Sequence, residues 1–441
     1  MEPDIMLIVC DSLRKDIMQI YGGEARTPNL AKLTEDSVVY NDAIAPSPWT
    51  FPSHVSMFTG MYLNEHGVHE TEKDKLLDLT RFNLDLQKER LPEKLSKQGY
   101  NTLGISNNPM VSPQTAFDTG FNMFFTLDPF PVSKEDKTFQ EARRLGASPR
   151  DIAIKLLKQG KFGKIAEFAK FRKREKLISD VINFPLDKGA ELTNKILANG
   201  NWESKFFRFI NFLEVHEPYR NYNSKEVWDN VTGIRKMSRK SMENIRREYI
   251  AEMEYLDGQI GRLISTMKKA GKFDNTMIIV TSDHGQAINE HGYMLHSTYL
   301  YDELSRIPLI VKYPGGKKFE NKRGYQNLVY IPKLIDDVMQ GGDDSALYSE
   351  ATFSEAYGAV IVLPGGYKDR EEYVRKTYEK LRKAVYKDGF KMTVNGTDGT
   401  IEEFMEGEKD VRVEDNKETA KDLLSEIEIF KGKEQFKLPE I

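Results

Sequence analysis

The chain has 441 residues, 30% of them charged, and a formal net charge of -4. That balance describes a globular protein long enough for a large core, and it excludes a global basic bias towards nucleic acid. A single cysteine, Cys10, excludes an intrachain disulfide and reads as a small buried hydrophobe.

The start, MEPDIMLIVCDS, runs directly into an apolar strand without a basic leader region, a small-residue cleavage site or a span of about 20 apolar residues. A cytoplasmic protein is therefore expected. IMLIVC (5–10) has the continuous pattern of a buried parallel strand and ends at Asp11 and Ser12. TPNLAKLTEDS (27–37) predicts a short helix and VVYNDAIA (38–45) a strand. The stretch PSPWTFPSHVSMFTG follows, with Thr50 at the mouth of a helical run and two residues before Pro52. Thr50 is a good N-cap there, and the same place puts its oxygen in the positive field of a helix end, which suits a nucleophile facing an anion.

A helix near 91–99 and a strand over 101–106, ending at Asn107 and Asn108, come next. Between about 134 and 200 the chain turns basic and helical: Lys155, Lys158, Lys161, Lys164, Lys170, Arg172, Lys173, Arg174 and Lys176 interleave with Phe162, Ile165, Phe168 and Phe171. This insertion reads as an amphipathic helix pair, either a solvated face over a packed one or a surface for a polyanion or membrane. Strands then follow at 206–215, 276–283 and 307–314, with helices at 240–270 and 327–339. Helices alternating with buried strands predict an α/β fold, a doubly wound, mostly parallel sheet flanked by helices. From about 345 the Asn-Gly and Asp-Gly dipeptides predict hairpins, hence a small C-terminal antiparallel α+β subdomain over 346–441 with a helix near 417–430.

All seven histidines, at 54, 66, 69, 216, 284, 291 and 296, fall in four short segments that follow predicted strands or lie in the Thr50 region. Ligands of a doubly wound sheet bind beyond such strand ends. Asp11 ends the first strand, and TSDHG places Asp283 and His284 at the end of a later one. With the Thr50 oxygen these make a mixed O/N set for one divalent ion, Mn²⁺ or Zn²⁺ ahead of Ca²⁺ or Mg²⁺.

These residues, with FPSHVSMFTG, LEVHEPY and the run from TSDHG to YDELSRIPLIVKYPG, resemble the sulfatase family of the alkaline phosphatase superfamily across most of residues 4–340. The resemblance implies an alkaline phosphatase-like fold, with a catalytic metallohydrolase domain over 1–345, and in-line attack on an anionic ester through a covalent intermediate. Sulfatases carry Cys or Ser, oxidised to formylglycine, where this chain has Thr50, so no formylglycine is expected. A Thr nucleophile beside an Asp/Asp/His metal set is similar to the phosphodiesterase and phosphotransferase branches. The leading expectation is thus hydrolysis of phosphoester or phosphonate bonds through Thr50. The alternatives are a sulfuric ester hydrolase, a phospho-headgroup transferase and a non-catalytic anion-binding protein.

On this reading His216 and His296 bind ester oxygens or protonate the leaving group, and His54, His66, Asn107 and Arg14 contact substrate. The ester would carry a glycan, lipid or nucleotide group, and no obligate protein partner is inferred. A second ion would draw on Glu214, His216 and His296, but the Asp-x-x-x-His spacing of two-metal relatives is absent, so one ion is expected.

Overall fold

The computed structural model describes residues 2–69, 88–127, 149–170, 173, 183–202, 205–320, 322–358, 361, 363–432 and 435–441. Its strands, in chain order, are β1 (Asp4–Cys10), β2 (Val38–Tyr40), β3 (Ala43–Ile44), β4 (Asn101–Ser106), β5 (Met123–Thr126), β6 (Phe206–Phe212), β7 (Thr276–Thr281), β8 (Ala287–Ile288), β9 (Met294–Leu295), β10 (Leu309–Lys312) and β11 (Gln326–Asn327). Five more, β12 (Ala351–Tyr357), β13 (Leu381–Lys387), β14 (Phe390–Asn395), β15 (Thr400–Glu406) and β16 (Lys409–Asp410), follow.

The main sheet runs β2-β10-β7-β1-β6-β4-β5. It is parallel except at one edge, where β10 lies antiparallel to both β7 and β2. Side chains alternate across a strand, and here both faces are buried, which is why β1 and β7 read as unbroken apolar runs. Met6, Ile8 and Cys10 of β1 face one helical layer, the Arg239–Lys269 helix foremost, with Leu256, Ile260 and Leu263. Ile5, Leu7 and Val9 face the other, built from Phe51, Val55 and Phe58 of the Thr50–Thr59 helix and Leu334 and Ile335 of the Ile331–Met339 helix.

The expected single strand over 38–45 is two. β2 joins the main sheet, whereas β3 pairs with β11, because the chain bends at Asn41 and Asp42. The basic insertion is also not uniform. The Pro149–Lys158 helix and a helix over 162–170 carry Lys155, Lys158, Lys164 and Lys170, with Ile154, Leu157 and Phe162 exposed. Phe171, Arg172, Arg174 and Lys176 lie outside the described residues. The Ala190–Ala198 helix, by contrast, belongs to the core: Asn194 donates to Gln259 Oε1 of the long helix at 2.9 Å.

β12 to β16 form the expected antiparallel sheet, in sequence order, with Leu423 and Ile427 of the Lys417–Phe430 helix on one face. Ala356, Ala384 and Tyr386 pack it on Ile44, Leu300 and Tyr325 of the main body. Glu355 and Lys383 pair there in full burial, and Glu355 Oε1 also accepts the Asn64 backbone N–H at 3.2 Å. Among the described residues no helix is long and apolar enough to cross a membrane.

Candidate active site

The carboxyl ends of β1 and β7 bring Asp11, Asp283 and His284 together, each fully buried and each offering a ligating atom within 4.8 Å of the others. Neighbouring parallel strands end side by side, so the segments beyond them converge. His284 Nε2 lies 3.5 Å from Asp283 Oδ2 and 3.8 Å from Asp11 Oδ1. Its Nδ1 donates to the Gly285 carbonyl at 2.7 Å, which fixes the ring and leaves Nε2 as the free lone pair. Gly285 itself is required: a Cβ there would stand 1.9 Å from the Glu303 carbonyl oxygen.

Thr50 completes the group, but not as an N-cap. The helix begins at Thr50 with Trp49 in the cap position, and no side chain caps it. The hydroxyl instead points at the cluster, 3.3 Å from Asp11 Oδ2 and 3.3 Å from His284 Nε2. The expected capping role is therefore absent, and the oxygen faces the cluster instead.

The electrostatics suit a cation. Burial would raise the Asp11 carboxyl, yet His216, His284 and the Asn108 amide outweigh it and hold Asp11 below its ordinary range. Burial and the Asp11 charge push Asp283 well above that range. Asp283 Oδ2 is buried with no hydrogen-bond partner among the described residues. A buried, unsatisfied carboxylate oxygen is costly unless a positive charge meets it, so this donor set fits a divalent ion. Asp11, Asp283, His284 and Thr50 would hold it.

Three further groups tie the ligands down. Ser12, held at φ 62°, donates its hydroxyl to Asp11 Oδ1 at 2.9 Å and its N–H to Asp283 Oδ1 at 3.2 Å. Asn108 donates to Asp11 Oδ2 at 2.7 Å, and Ser53 to the Asp283 carbonyl at 2.7 Å. Sequence reasoning names Asn107 instead of its neighbour. Asn107 turns the other way, buried beside Thr193, with its Nδ2 unpartnered among the described residues.

His216 and His296 flank the cluster. The His296 ring stacks on His284 at 4.5 Å between centroids and meets His216 at 5.1 Å. Burial and the neighbouring imidazoles push His296 well below the usual histidine range, whereas Glu217 and Asp11 outweigh burial and raise His216. Glu217 and Gln286, absent from the expected set, join them: Gln286 bridges His296 Nδ1 at 2.8 Å and Glu217 Oε2 at 3.0 Å. Glu217 was legible only as the residue after His216.

Three expected substrate contacts are differently engaged. Arg14 spends its guanidinium on Asp16, Glu290 and the Gln286 carbonyl, so it braces loops and has little left for an anion. His54 lies under the Thr50–Thr59 helix, its Nδ1 on the Thr50 carbonyl at 2.8 Å and its ring against Phe117 and Phe209; burial lowers its pKa to about 4. His66 uses Nε2 on Ser56 Oγ and Nδ1 on the Val68 N–H, leaving neither nitrogen for a ligand. Glu214, an expected reserve ligand, accepts the backbone N–H groups of Lys188 and Ala190.

A family model described as Sulfatase matches residues 3–341, which include every strand of the main sheet. The chain is 24% identical to a protein named sulfatase from Formosa agariphila, over 93% of this chain and 82% of that one. It is 22% identical to N-acetylglucosamine-6-O-sulfatase from Bacteroides thetaiotaomicron, over 76% and 67%. Among solved structures, a 2-O GAG sulfatase superposes with a TM-score of 0.68 at 13% identity, covering 98% of this chain and 93% of that one. Phosphonate monoester hydrolase from Silicibacter pomeroyi superposes at 0.66 and 15% identity, covering 97% and 94%. At those identities the structural likeness speaks for the alkaline phosphatase-like fold alone, and it is the family model, laid over the buried Asp11, Asp283 and His284, that decides: the chain belongs to the sulfatase family.

Proposed function

We propose that this chain is a metal-dependent hydrolase of tetrahedral oxyanion esters with Thr50 as its nucleophile, and that a sulfate ester is the first substrate class to test. The family and the relatives named sulfatase support that class better than the phosphoester class favoured by reading Thr50 alone. The observation that carries the proposal is Thr50 Oγ1, set 3.3 Å from both Asp11 Oδ2 and His284 Nε2 at the first turn of a buried helix.

Thr50 Oγ1 attacks the central atom of the ester, its bond to the departing alcohol oxygen breaks as that oxygen takes up the proton Thr50 loses, and water then cleaves the Thr50 ester, releasing the oxyanion and restoring the hydroxyl. Asn108 and Ser12 keep the Asp11 carboxylate aimed at that hydroxyl. The dipole of the helix that begins at Thr50 favours an anion at its mouth. His216, whose charged form Glu217 and Asp11 favour, adjoins the cluster with His296 and offsets charge on the departing oxygen. A bound divalent ion supplies Lewis acidity, lowering the hydroxyl's pKa and neutralising the oxyanion.

A second reading, phosphoester or phosphonate hydrolysis, is favoured by the threonine itself, which is no formylglycine precursor, and by the likeness to phosphonate monoester hydrolases. Turnover of p-nitrophenyl sulfate, phosphate, bis-phosphate and phenylphosphonate with Zn²⁺, Mn²⁺, Mg²⁺ or Ca²⁺ separates the two. A dominant sulfate rate supports the first, and a dominant phosphorus rate moves the assignment to the second. Turnover that survives Thr50→Ala overturns the nucleophile.

A further inference from the structure

At the amino ends of β4, β5 and β6, the opposite end of the sheet from Asp11, the chain forms a cleft of about 410 Å³ against the Ala190–Ala198 helix. That volume falls within the ~300–1,000 Å³ of small-molecule sites. Leu103, Phe125, Ile196 and Trp202 give it apolar walls, and the Trp202 indole N–H is tied to the Leu197 carbonyl at 3.0 Å. Met123, which also lines it, is 55% exposed.

The cleft holds a buried cation. Arg208 interrupts the otherwise uncharged strand FFRFINF and is 5% exposed. Its Nη1 donates to the Asn101 carbonyl and to Asn101 Oδ1, each at 2.9 Å, and its Nη2 to the Asn201 carbonyl at 3.1 Å. Among the described residues no acceptor meets its Nε–H and no carboxylate touches the guanidinium. Asp4, whose field reaches it, is engaged with the Phe206 N–H at 3.1 Å and with Lys272 at 3.5 Å. Burial outweighs that field and lowers Arg208 to about 10. A buried charge without a contacting partner is costly, so the arrangement favours an incoming anion.

The neighbouring amides are turned the same way. Asn122 Oδ1 accepts the Thr102 N–H at 2.8 Å and the Thr102 hydroxyl at 3.1 Å, and Asn101 Oδ1 accepts from Arg208. Both side chains are left with their NH₂ groups, which only donate. None of the described residues lining the cleft is acidic.

We propose that this cleft binds a small carboxylate carried on a flat apolar body, its charge on Arg208 and its body between Leu103, Phe125, Ile196 and Trp202. A single guanidinium matches a single negative charge, and the apolar walls select against a bare, fully hydrated anion.

Phenylacetate is the probe, with neutral phenylacetamide of the same shape as its control, titrated calorimetrically into the full chain. The acid is expected to bind at least ~10-fold more tightly than the amide. Arg208→Met and Met123→Glu are each expected to weaken it by ~10-fold or more, whereas Thr50→Ala and Asp283→Asn should leave it within about twofold. Melting curves verify folding, and Met123→Glu, at an exposed position, carries the test if Arg208→Met does not fold. Equal affinity for acid and amide overturns the proposal, as does native affinity in Met123→Glu. Binding lost in Asp283→Asn places the anion at the other end of the sheet and also overturns it. So does the absence of phenylacetate binding up to about 10 mM.

Discussion

Asn108 reaches past the end of β6 from β4 and donates its side-chain amide to Asp11 Oδ2, at the end of β1, across 2.7 Å. This bond aims a candidate ligand without joining the candidate set itself. Asn108→Ala is expected to weaken the metal ion by about 10–100-fold. Competition with a chromogenic chelator measures this, and native affinity in the variant would show that the amide only fills space.

Thr50 has no capping duty, so its chemistry and its structural role separate. Thr50→Ala is expected to lower kcat by ~10³-fold or more. Its stability should fall by no more than ~1 kcal/mol. Thr50→Ser keeps a hydroxyl and should retain most of the rate. A matching loss of melting temperature and rate in Thr50→Ala would mean that the rate loss is merely unfolding.

Arg14 separates bracing from binding. Its guanidinium is buried against Asp16 and Glu290, which are partly exposed, so Arg14→Met is expected to cost about 2 kcal/mol in unfolding free energy. KM of the folded variant should stay within about twofold, because uniform substrate binding is untouched. A large rise in KM with native stability would restore Arg14 as a substrate contact.

Asp302 sets an acid limit on the docking of the C-terminal sheet. Burial would raise its pKa, but Lys391 and Arg306 outweigh it and hold the carboxyl at about 2. A folded pKa below the unfolded one stabilises the fold above about pH 4, and the contribution is lost as pH falls towards 2. Asp302→Asn should therefore be less stable than native by about 1–2 kcal/mol at neutral pH, with the gap closing across that window. Melting curves of both chains from pH 6 to pH 2 read it. A gap that does not change with pH would rule out the ion pair as its source.

Much of the fold is legible because strands buried on both faces, β1 and β7 above all, are apolar at every position. β5 escapes notice because MFFT is short and lies half-buried at the sheet edge. The candidate ligands Asp11, Asp283 and His284 are legible because they follow such strands. What surrounds them is less so, for reasons of direction that sequence does not carry. Asn107 and Asn108 are neighbours, yet only one points to Asp11. Arg14 looks like an anion contact until Asp16, two residues on, and Glu290, distant in sequence, are seen to claim it. Ser12 directly follows Asp11, and that adjacency was the available signal for its double donation.

Gly285 carries a consequence for how the two halves of the chain communicate. Its N–H bonds to the Leu304 carbonyl at 2.8 Å, its own carbonyl holds the His284 ring, and its missing side chain lets the Asp302–Ser305 helix approach. The same short helix meets the C-terminal sheet through Asp302, bonded to Tyr386 and paired with Lys391. One turn of backbone thus joins a candidate metal ligand to the C-terminal sheet. Any displacement of that sheet would be felt at His284 through a handful of atoms.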